Sequence, residues 1–252
     1  MSWDRHWQTG AVFTLGLLVL TLAAMAVETR VLAGYDPWVK PAKFAASLAL
    51  HLATLAVVAA ALPARVREGW LMAALVLGTL AATIFEMGYI MLQAARLEHS
   101  HFNVAEPLHA ALYTAMGIGA VYLVAAAMVL GGLVARERPA GWGAGLQWGA
   151  ALGLIGGGIL TIVVAGYMGG NGSHFVGTPS PEAGAWPITG WSTEVGDLRP
   201  AHFLALHAMQ ILPLAGLALD RWRPGGAVPV MVVGSVLYAA LTLGLFAPVP
   251  RA

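Results

Sequence analysis

Long apolar runs, separated by short polar connections, follow one another along almost the whole chain. Seven of these runs have roughly the twenty residues that an α-helix needs to cross a ~30 Å hydrocarbon layer. The pattern therefore predicts an all-α fold, a polytopic membrane bundle of seven helices in which residues 1–252 form a single transmembrane domain. The predicted spans cover approximately residues 11–31, 44–62, 70–95, 108–135, 145–167, 201–219 and 227–247.

Polar side chains recur at helical spacing within four of the predicted spans. Every stripe lies in the half of its span that is nearer the predicted outer surface, and the opposite halves contain almost nothing ionisable. The stripes consist of Lys43, Ser47, His51 and Thr54; Glu86, Tyr89, Gln93 and Arg96; Glu106, His109 and Tyr113; and Arg199, Phe203, His207 and Gln210. The pattern predicts an outward-facing, histidine-rich polar cavity that is closed at its cytoplasmic end.

Glu86 lies deep inside the third predicted span. An ionisable group in hydrocarbon costs a few kcal/mol unless it faces a partner or water. We therefore expect Glu86 to face the bundle interior, where it is paired with, or bridged by water to, a cation or donor such as Arg96, Lys43 or His51. The structural alternative is a hydrogen-bonded network that only holds the helices together.

The composition narrows the classes of partner and cofactor. Of the 252 residues, 59% are hydrophobic and 10% are charged, which is outside the range of soluble domains. The net charge of +1 gives no basic surface, so we expect no nucleic acid partner. The absence of cysteine excludes disulfides, iron–sulfur clusters and thiolate metal ligands. Rows of glycine in the fourth and fifth spans predict close helix contacts, within the chain or in an oligomer.

Arginines in the short connections predict the orientation. The connections on the side of the N-terminus carry Arg65, Arg67, Arg136, Arg138, Arg221 and Arg223. Positive residues in short loops favour the cytoplasmic side of a membrane. We therefore expect a bacterial cytoplasmic (inner) membrane protein whose N-terminus is cytoplasmic and whose polar cavity faces outside.

Two outer connections cover the predicted cavity. The connection between the third and fourth spans contains His99, His101 and Asn103, and the one between the fifth and sixth spans is long, with no helical or strand periodicity. Connections of that length are typically functional lids or binding loops, although their tryptophans also suit a membrane interface. We expect Asp197 and Arg199 to organise the start of the sixth span.

Three segments, WVKPAKFAAS, QAARLEHSHFN and GWSTEVGDLRPAHFLALHAMQILP, are similar to segments of a family of bacterial polytopic membrane proteins with no established activity. The resemblance covers most of residues 40–213 and rests on the SHFN and GDLRxxHFxxxHxxQ patterns. It implies a seven-helix membrane fold and carries over no catalytic residue. A looser comparison with alkaline-ceramidase-like hydrolases fails on spacing, because His202 and His207 stand five residues apart, about 140° around a helix.

The first functional hypothesis is a metal-dependent membrane enzyme that acts on a lipid or another amphiphile. A transition metal ion (Zn, Mn, Fe or Cu) lowers the pKa of a bound water, and Glu86 or Asp197 would then act as the catalytic acid or base. The candidate metal ligands are His101, His174, His202 and His207. The candidate substrate-binding residues are Lys43, Gln93, Arg96, Asn103, Trp191, Arg199 and Gln210.

Two other function classes compete with the enzyme. A redox protein would bind haem b through His51 and His207, or would bind a quinone. A transporter or sensor would capture a small anionic ligand through its arginines. A transporter should carry polar residues through the full membrane thickness, however, and the inner halves of these spans do not.

Overall fold

The computed structural model describes residues 2–180, 182–187, 189–222 and 224–246. Seven helices within these residues are long and apolar enough to cross a membrane, as predicted. The helices are α1 (Asp4–Val27), α2 (Val39–Ala60), α3 (Ala64–Arg67), α4 (Trp70–Arg96), α5 (Pro107–Glu137), α6 (Ala144–Gly170), α7 (Arg199–Trp222) and α8 (Ala227–Phe246). The hydropathy pattern does not predict α3, which has four residues. Arg223 and Ala247, which belong to the orientation argument and the seventh predicted span, lie outside the described residues.

The chain divides into two compact units, Met1–Ala126 and Ala127–Ala252. In the first unit α1 packs mainly on α2, and α4 packs on both. Small and branched apolar side chains, among them Ala45, Leu48, Ala82 and Leu123, form a core between these helices and α5. Because adjacent helices are antiparallel, the connections 28–38 and 97–106 lie at the same end of this unit, where Arg30 Nη1 donates to the Ala95 carbonyl at 3.4 Å.

The second unit is organised around the close contact of α6 with α7. Glycines recur every fourth residue of α6, at Gly145, Gly149, Gly153 and Gly157, and their backbones touch the α7 backbone. A Cβ atom at Gly153 would stand 2.6 Å from the Ala208 carbonyl oxygen. Helices that approach this closely in a membrane use small residues at their contact.

An α7 carboxylate caps the start of α6. The Asp220 side chain accepts hydrogen bonds from the backbone N–H groups of Gly145 and Leu146, both at 2.7 Å. The first N–H groups of a helix have no partner within the helix, so this contact satisfies two of them. The contact fixes the register of the two helices at the end opposite the long connection.

The connection between α6 and α7 contains a two-stranded antiparallel ribbon, β1 (Phe175–Val176) and β2 (Gly196–Asp197). The sequence shows no strand periodicity in this connection and so did not predict the ribbon. A strand of two residues is too short to produce a readable alternation, and its pairing is decided by contacts distant in sequence. The ribbon ends where the Leu198 N–H donates to the His174 carbonyl at 2.9 Å, one residue before α7 begins.

Candidate functional site

A groove of about 650 Å³ lies between α4 and the start of α5 in the first unit. Its apolar lining consists of Ile84, Phe85, Gly88, Leu92, Leu108 and Leu112. Its polar lining consists of Tyr89, Gln93, Arg96, Glu98, Glu106 and His109. The groove follows one face of α4 because residues spaced by three and four lie on the same side of a helix. It is therefore apolar along the helices and polar at the end that carries the connection 97–106.

Glu98 is the centre of the polar end. Its carboxylate accepts hydrogen bonds from Arg96 Nη2 at 2.9 Å and from Gln93 Nε2 at 3.1 Å. Leu97, in the left-handed conformation with φ 59°, turns the chain back so that Glu98 reaches these partners. The hydrogen bond from Arg96 holds the pKa of Glu98 below its ordinary value. Glu98 is therefore an anion at neutral pH.

His109 is held between an amide and this carboxylate. Its Nε2 lies 3.4 Å from Glu98 Oε2, and its Nδ1 lies 3.1 Å from Asn103 Nδ2. Because an amide nitrogen only donates, Nδ1 is the acceptor and the ring proton of the neutral tautomer sits on Nε2, facing Glu98. Asn103 also donates to the His99 carbonyl at 3.0 Å, which fixes the connection beside the groove.

Glu86 lies inside the first unit, as the sequence predicts, with only 4% of its surface exposed. The cation that acts on it electrostatically is Lys40 of α2. This is a different residue from the predicted partners, of which Lys43 is exposed on α2 and Arg96 pairs with Glu98. Gln93, one of the candidate substrate-binding residues, is also buried. The predicted polar stripe of α4 thus points inward over most of its length.

His101 belongs to the first unit and lies among aromatic rings. Its ring centroid is 5.2 Å from that of Phe44 and 6.0 Å from that of Tyr113, and Ser100 Oγ lies 3.1 Å from Nδ1. Burial, together with the nearby charge of Lys40, lowers the pKa of His101 to about 3. The imidazole is therefore neutral at physiological pH.

Asp197 and Arg199 organise the start of α7, as the sequence predicts. Asp197 Oδ1 accepts from the Arg199 N–H at 3.0 Å, and Oδ2 accepts from the Ser192 N–H at 2.8 Å. The Arg199 guanidinium also binds this carboxylate and donates to the Gly190 carbonyl at 2.7 Å. Burial raises the pKa of Asp197, but these hydrogen bonds outweigh it and the pKa is lowered. Both carboxylate oxygens are thus occupied in tying the long connection to α7.

The remaining predicted residues of the second unit lie on α7 or in the connection that contains the ribbon. The His207 ring lies 4.1 Å from the Phe203 ring, and its Nδ1 lies 3.3 Å from Gln210 Oε1. Trp191 packs edge-on against Phe203. The remaining two histidines are His202, whose Nδ1 is buried, and His174, which stacks beside Phe175 at 4.1 Å.

No family model, curated protein or solved structure matches the chain. Function must therefore be inferred from the geometry of the site.

The candidate metal ligands are not gathered into one group. Within the described residues, no three His, Asp or Glu side chains are arranged to hold a metal ion. His101 belongs to the first unit, whereas His174, His202 and His207 belong to the second. The two candidate haem ligands, His51 and His207, also belong to different units. Metal and haem binding stay predictions.

Sequence reasoning missed Lys40 and the central role of Glu98. Lys40 precedes the predicted start of the second span, but α2 begins at Val39 and so includes it. Glu98 lies two residues beyond Arg96, the last residue of α4, and only the left-handed turn at Leu97 makes it face the helix again. The one available signal was the run of charged and polar residues from Arg96 to Asn103, which marks the end of a helix without showing which side chains meet.

Proposed function

We propose that this chain is a multi-pass membrane protein that binds a lipid or another amphiphile in the groove between α4 and α5. The groove's gradation from apolar to polar carries the proposal. Ile84 and Arg96 mark its apolar and polar ends and are separated by ~18 Å along α4, at ~1.5 Å per residue. An acyl or prenyl chain suits the apolar part, and a head group suits the polar end.

The head group would meet Arg96 at the polar end of the groove. The Arg96 side chain is 55% exposed, and two of the five N–H donors of its guanidinium are directed at Glu98. The rest suit an anionic or carbonyl oxygen.

The proposed location is a bacterial cytoplasmic membrane, with the N-terminus in the cytoplasm. The arginines of α3 support it, because short positive connections favour that side. The polar end of the groove belongs to the opposite end of the first unit and would then lie at the outer surface, where lipid head groups are found. The long connection 171–198 would likewise be external.

The groove can be blocked without disturbing its walls. Gly88 lines the groove, and a Cβ atom added there meets no atom within 4 Å, so Gly88→Leu places a side chain in otherwise open space. Gly117→Leu is the matched control, since a Cβ atom at Gly117 on α5 is equally unobstructed and Gly117 does not line the groove.

The test uses protein in nanodiscs that contain phosphatidylglycerol with a photoreactive acyl chain, followed by mass spectrometry of the crosslinked peptides. We expect crosslinks within residues 84–112, retained in Gly117→Leu and lost in Gly88→Leu. Arg96→Gln should weaken labelling about ten-fold, since a hydrogen bond to a charged group contributes ~1.5–3 kcal/mol. Equal labelling of all four proteins would contradict the proposal.

A metal-dependent or redox reaction on the bound amphiphile is a separate hypothesis from binding and needs its own tests. Elemental analysis of the purified protein tests for Zn, Mn, Fe or Cu, and an absorption spectrum with a Soret band would identify haem b. A quinone is itself an amphiphile, and solvent extraction followed by mass spectrometry would detect it in the groove.

A further inference from the structure

Four buried polar atoms inside the first unit have no hydrogen-bond partner in the described part of the chain. They are Tyr89 Oη, Glu86 Oε1, Thr83 Oγ1 and His51 Nε2. A buried polar atom that is left dry costs ~1–3 kcal/mol, and native proteins satisfy the great majority of such atoms. Four in one small bundle therefore indicate bound water, which typically makes two to four hydrogen bonds in such places.

Three of the four atoms follow one face of α4. Thr83, Glu86 and Tyr89 are spaced by three residues, so that each lies ~4.5 Å along the helix from the next. Glu86 faces α5 at Gly119, where an added Cβ atom would stand 3.4 Å from Oε1. The missing side chain at Gly119 leaves room beside the carboxyl group.

His51 approaches the same region from α2. Its ring lies beside the backbone of Leu123, one helical turn beyond Gly119 on α5. Its buried Nε2 has no hydrogen-bond partner among the described residues, and in the neutral tautomer that carries the proton on Nδ1 this atom is an acceptor. The unpartnered atoms of α2 and α4 thus lie beside adjacent turns of α5.

The charges around Glu86 are few. Lys40 of α2 acts on it electrostatically, and Lys43 and His51 are the titratable groups farther along the same helix. In the described residues, α5 presents Gly119 and Leu123 to this region, and α1 presents the apolar Leu17 and Leu18 to the adjoining core. Tyr89 also lines the groove and so connects the interior with the groove.

We infer that these groups form an internal, water-containing proton-binding site, in which Glu86 exchanges a proton with His51 through bound water and Tyr89 connects the site to the groove. In one transfer the Glu86 carboxyl O–H bond breaks, its proton joins a water molecule, and that water donates one of its own protons to His51 Nε2. The products are a carboxylate, an imidazolium and the same number of water molecules. No oxidant or reductant is needed, and the site does not depend on the ligand of the groove.

Infrared spectroscopy of the full-length protein in nanodiscs tests the inference. A protonated carboxyl group has its own C=O stretching band, which shifts in D₂O only if solvent reaches it. We expect a band that shifts in D₂O, disappears on alkalinisation and is absent from Glu86→Gln. Glu98→Gln is the matched control, since Glu98 is the carboxylate of the groove, and it should keep the band.

A second variant distinguishes the relay from simple burial. His51→Gln retains a polar side chain but cannot accept a proton, so the pH at which the carboxyl band disappears should shift while the band itself remains. Thr83→Val removes one proposed water contact and should change the band frequency. The inference is overturned if the band survives in Glu86→Gln, if it does not respond to D₂O, or if His51→Gln titrates as the wild type does. The wild-type D₂O measurement decides the point even where a variant does not fold.

Discussion

His109 Nε2 lies 3.4 Å from Glu98 Oε2 at the polar end of the groove. The contact joins the first helical turn of α5 to the residue that follows the left-handed turn after α4. The two ends of the connection 97–106 are thereby held together beside the groove. Glu98 sets the charge at this end, because its lowered pKa keeps it ionised.

Glu98→Gln should raise the affinity of the groove for an anionic amphiphile. The substitution keeps the size of the side chain but removes the negative charge that partly neutralises Arg96. Because the pKa of Glu98 is lowered, the wild-type protein should show little change in binding between neutral and mildly acidic pH. Titration of nanodisc-embedded protein with a fluorescent anionic phospholipid checks both statements. Unchanged affinity in the variant would show that Glu98 does not face the bound head group.

Gly153→Ala should destabilise the second unit by about 1–3 kcal/mol, the usual cost of forcing a side chain into a packed contact. The added Cβ atom would stand 2.6 Å from the backbone carbonyl of Ala208. Gly156→Ala is the control on the same helix, where a Cβ atom has no neighbour within 4 Å. Thermal unfolding in detergent should separate the two variants, and equal melting temperatures would contradict the close helix contact.

The ion pair between Asp197 and Arg199 should be lost at acid pH. A carboxylate whose pKa is lowered in the folded protein stabilises it above the ordinary pKa of 3.8, and the stabilisation is lost as the pH falls through the lower, folded value. Asp197→Asn should remove this dependence and make the connection 171–198 more sensitive to protease at neutral pH. Limited proteolysis over an acid pH series measures both effects. If Asp197→Asn resists protease as well as the wild type does, the ion pair does not stabilise the connection.

The proposed orientation predicts opposite accessibility for two exposed positions. The chain has no cysteine, so Thr178→Cys and Arg65→Cys each introduce a single reactive thiol. A membrane-impermeant maleimide applied to intact spheroplasts should label Thr178→Cys, and Arg65→Cys should react only after the membrane is permeabilised. The reverse pattern would place the N-terminus outside.

Hydropathy predicted the helices well because each span must satisfy its own backbone hydrogen bonds in lipid, which makes the apolar length a local property. The inward face of α4 was also predictable, since Glu86 and Gln93 are costly to expose to hydrocarbon. The stripe of α2 was less informative. Lys43 and Ser47 are exposed on α2, because polar and long charged side chains near a helix end can reach the interface.

The site itself depended on contacts that no local pattern contains. Lys40 acts on Glu86 from another helix, and Glu98 reaches Gln93 only through the turn at Leu97. Spacing rules describe one helix at a time, so they could show that polar residues face inward but not which of them meet. The ribbon that positions Asp197 was missed for the same reason, since its pairing joins residues far apart in the chain.

The capping of α6 by Asp220 also bears on how the protein is made. Among the seven long apolar helices, α7 has the lowest mean hydropathy, and it carries this carboxylate near its end. Translation produces α6 before α7. In the folded protein, α7 packs against the glycine face of α6, and its Asp220 caps the N-terminus of α6. Because α6 precedes α7 in the chain, the surfaces that α7 needs for packing and for capping are already made when α7 is synthesised.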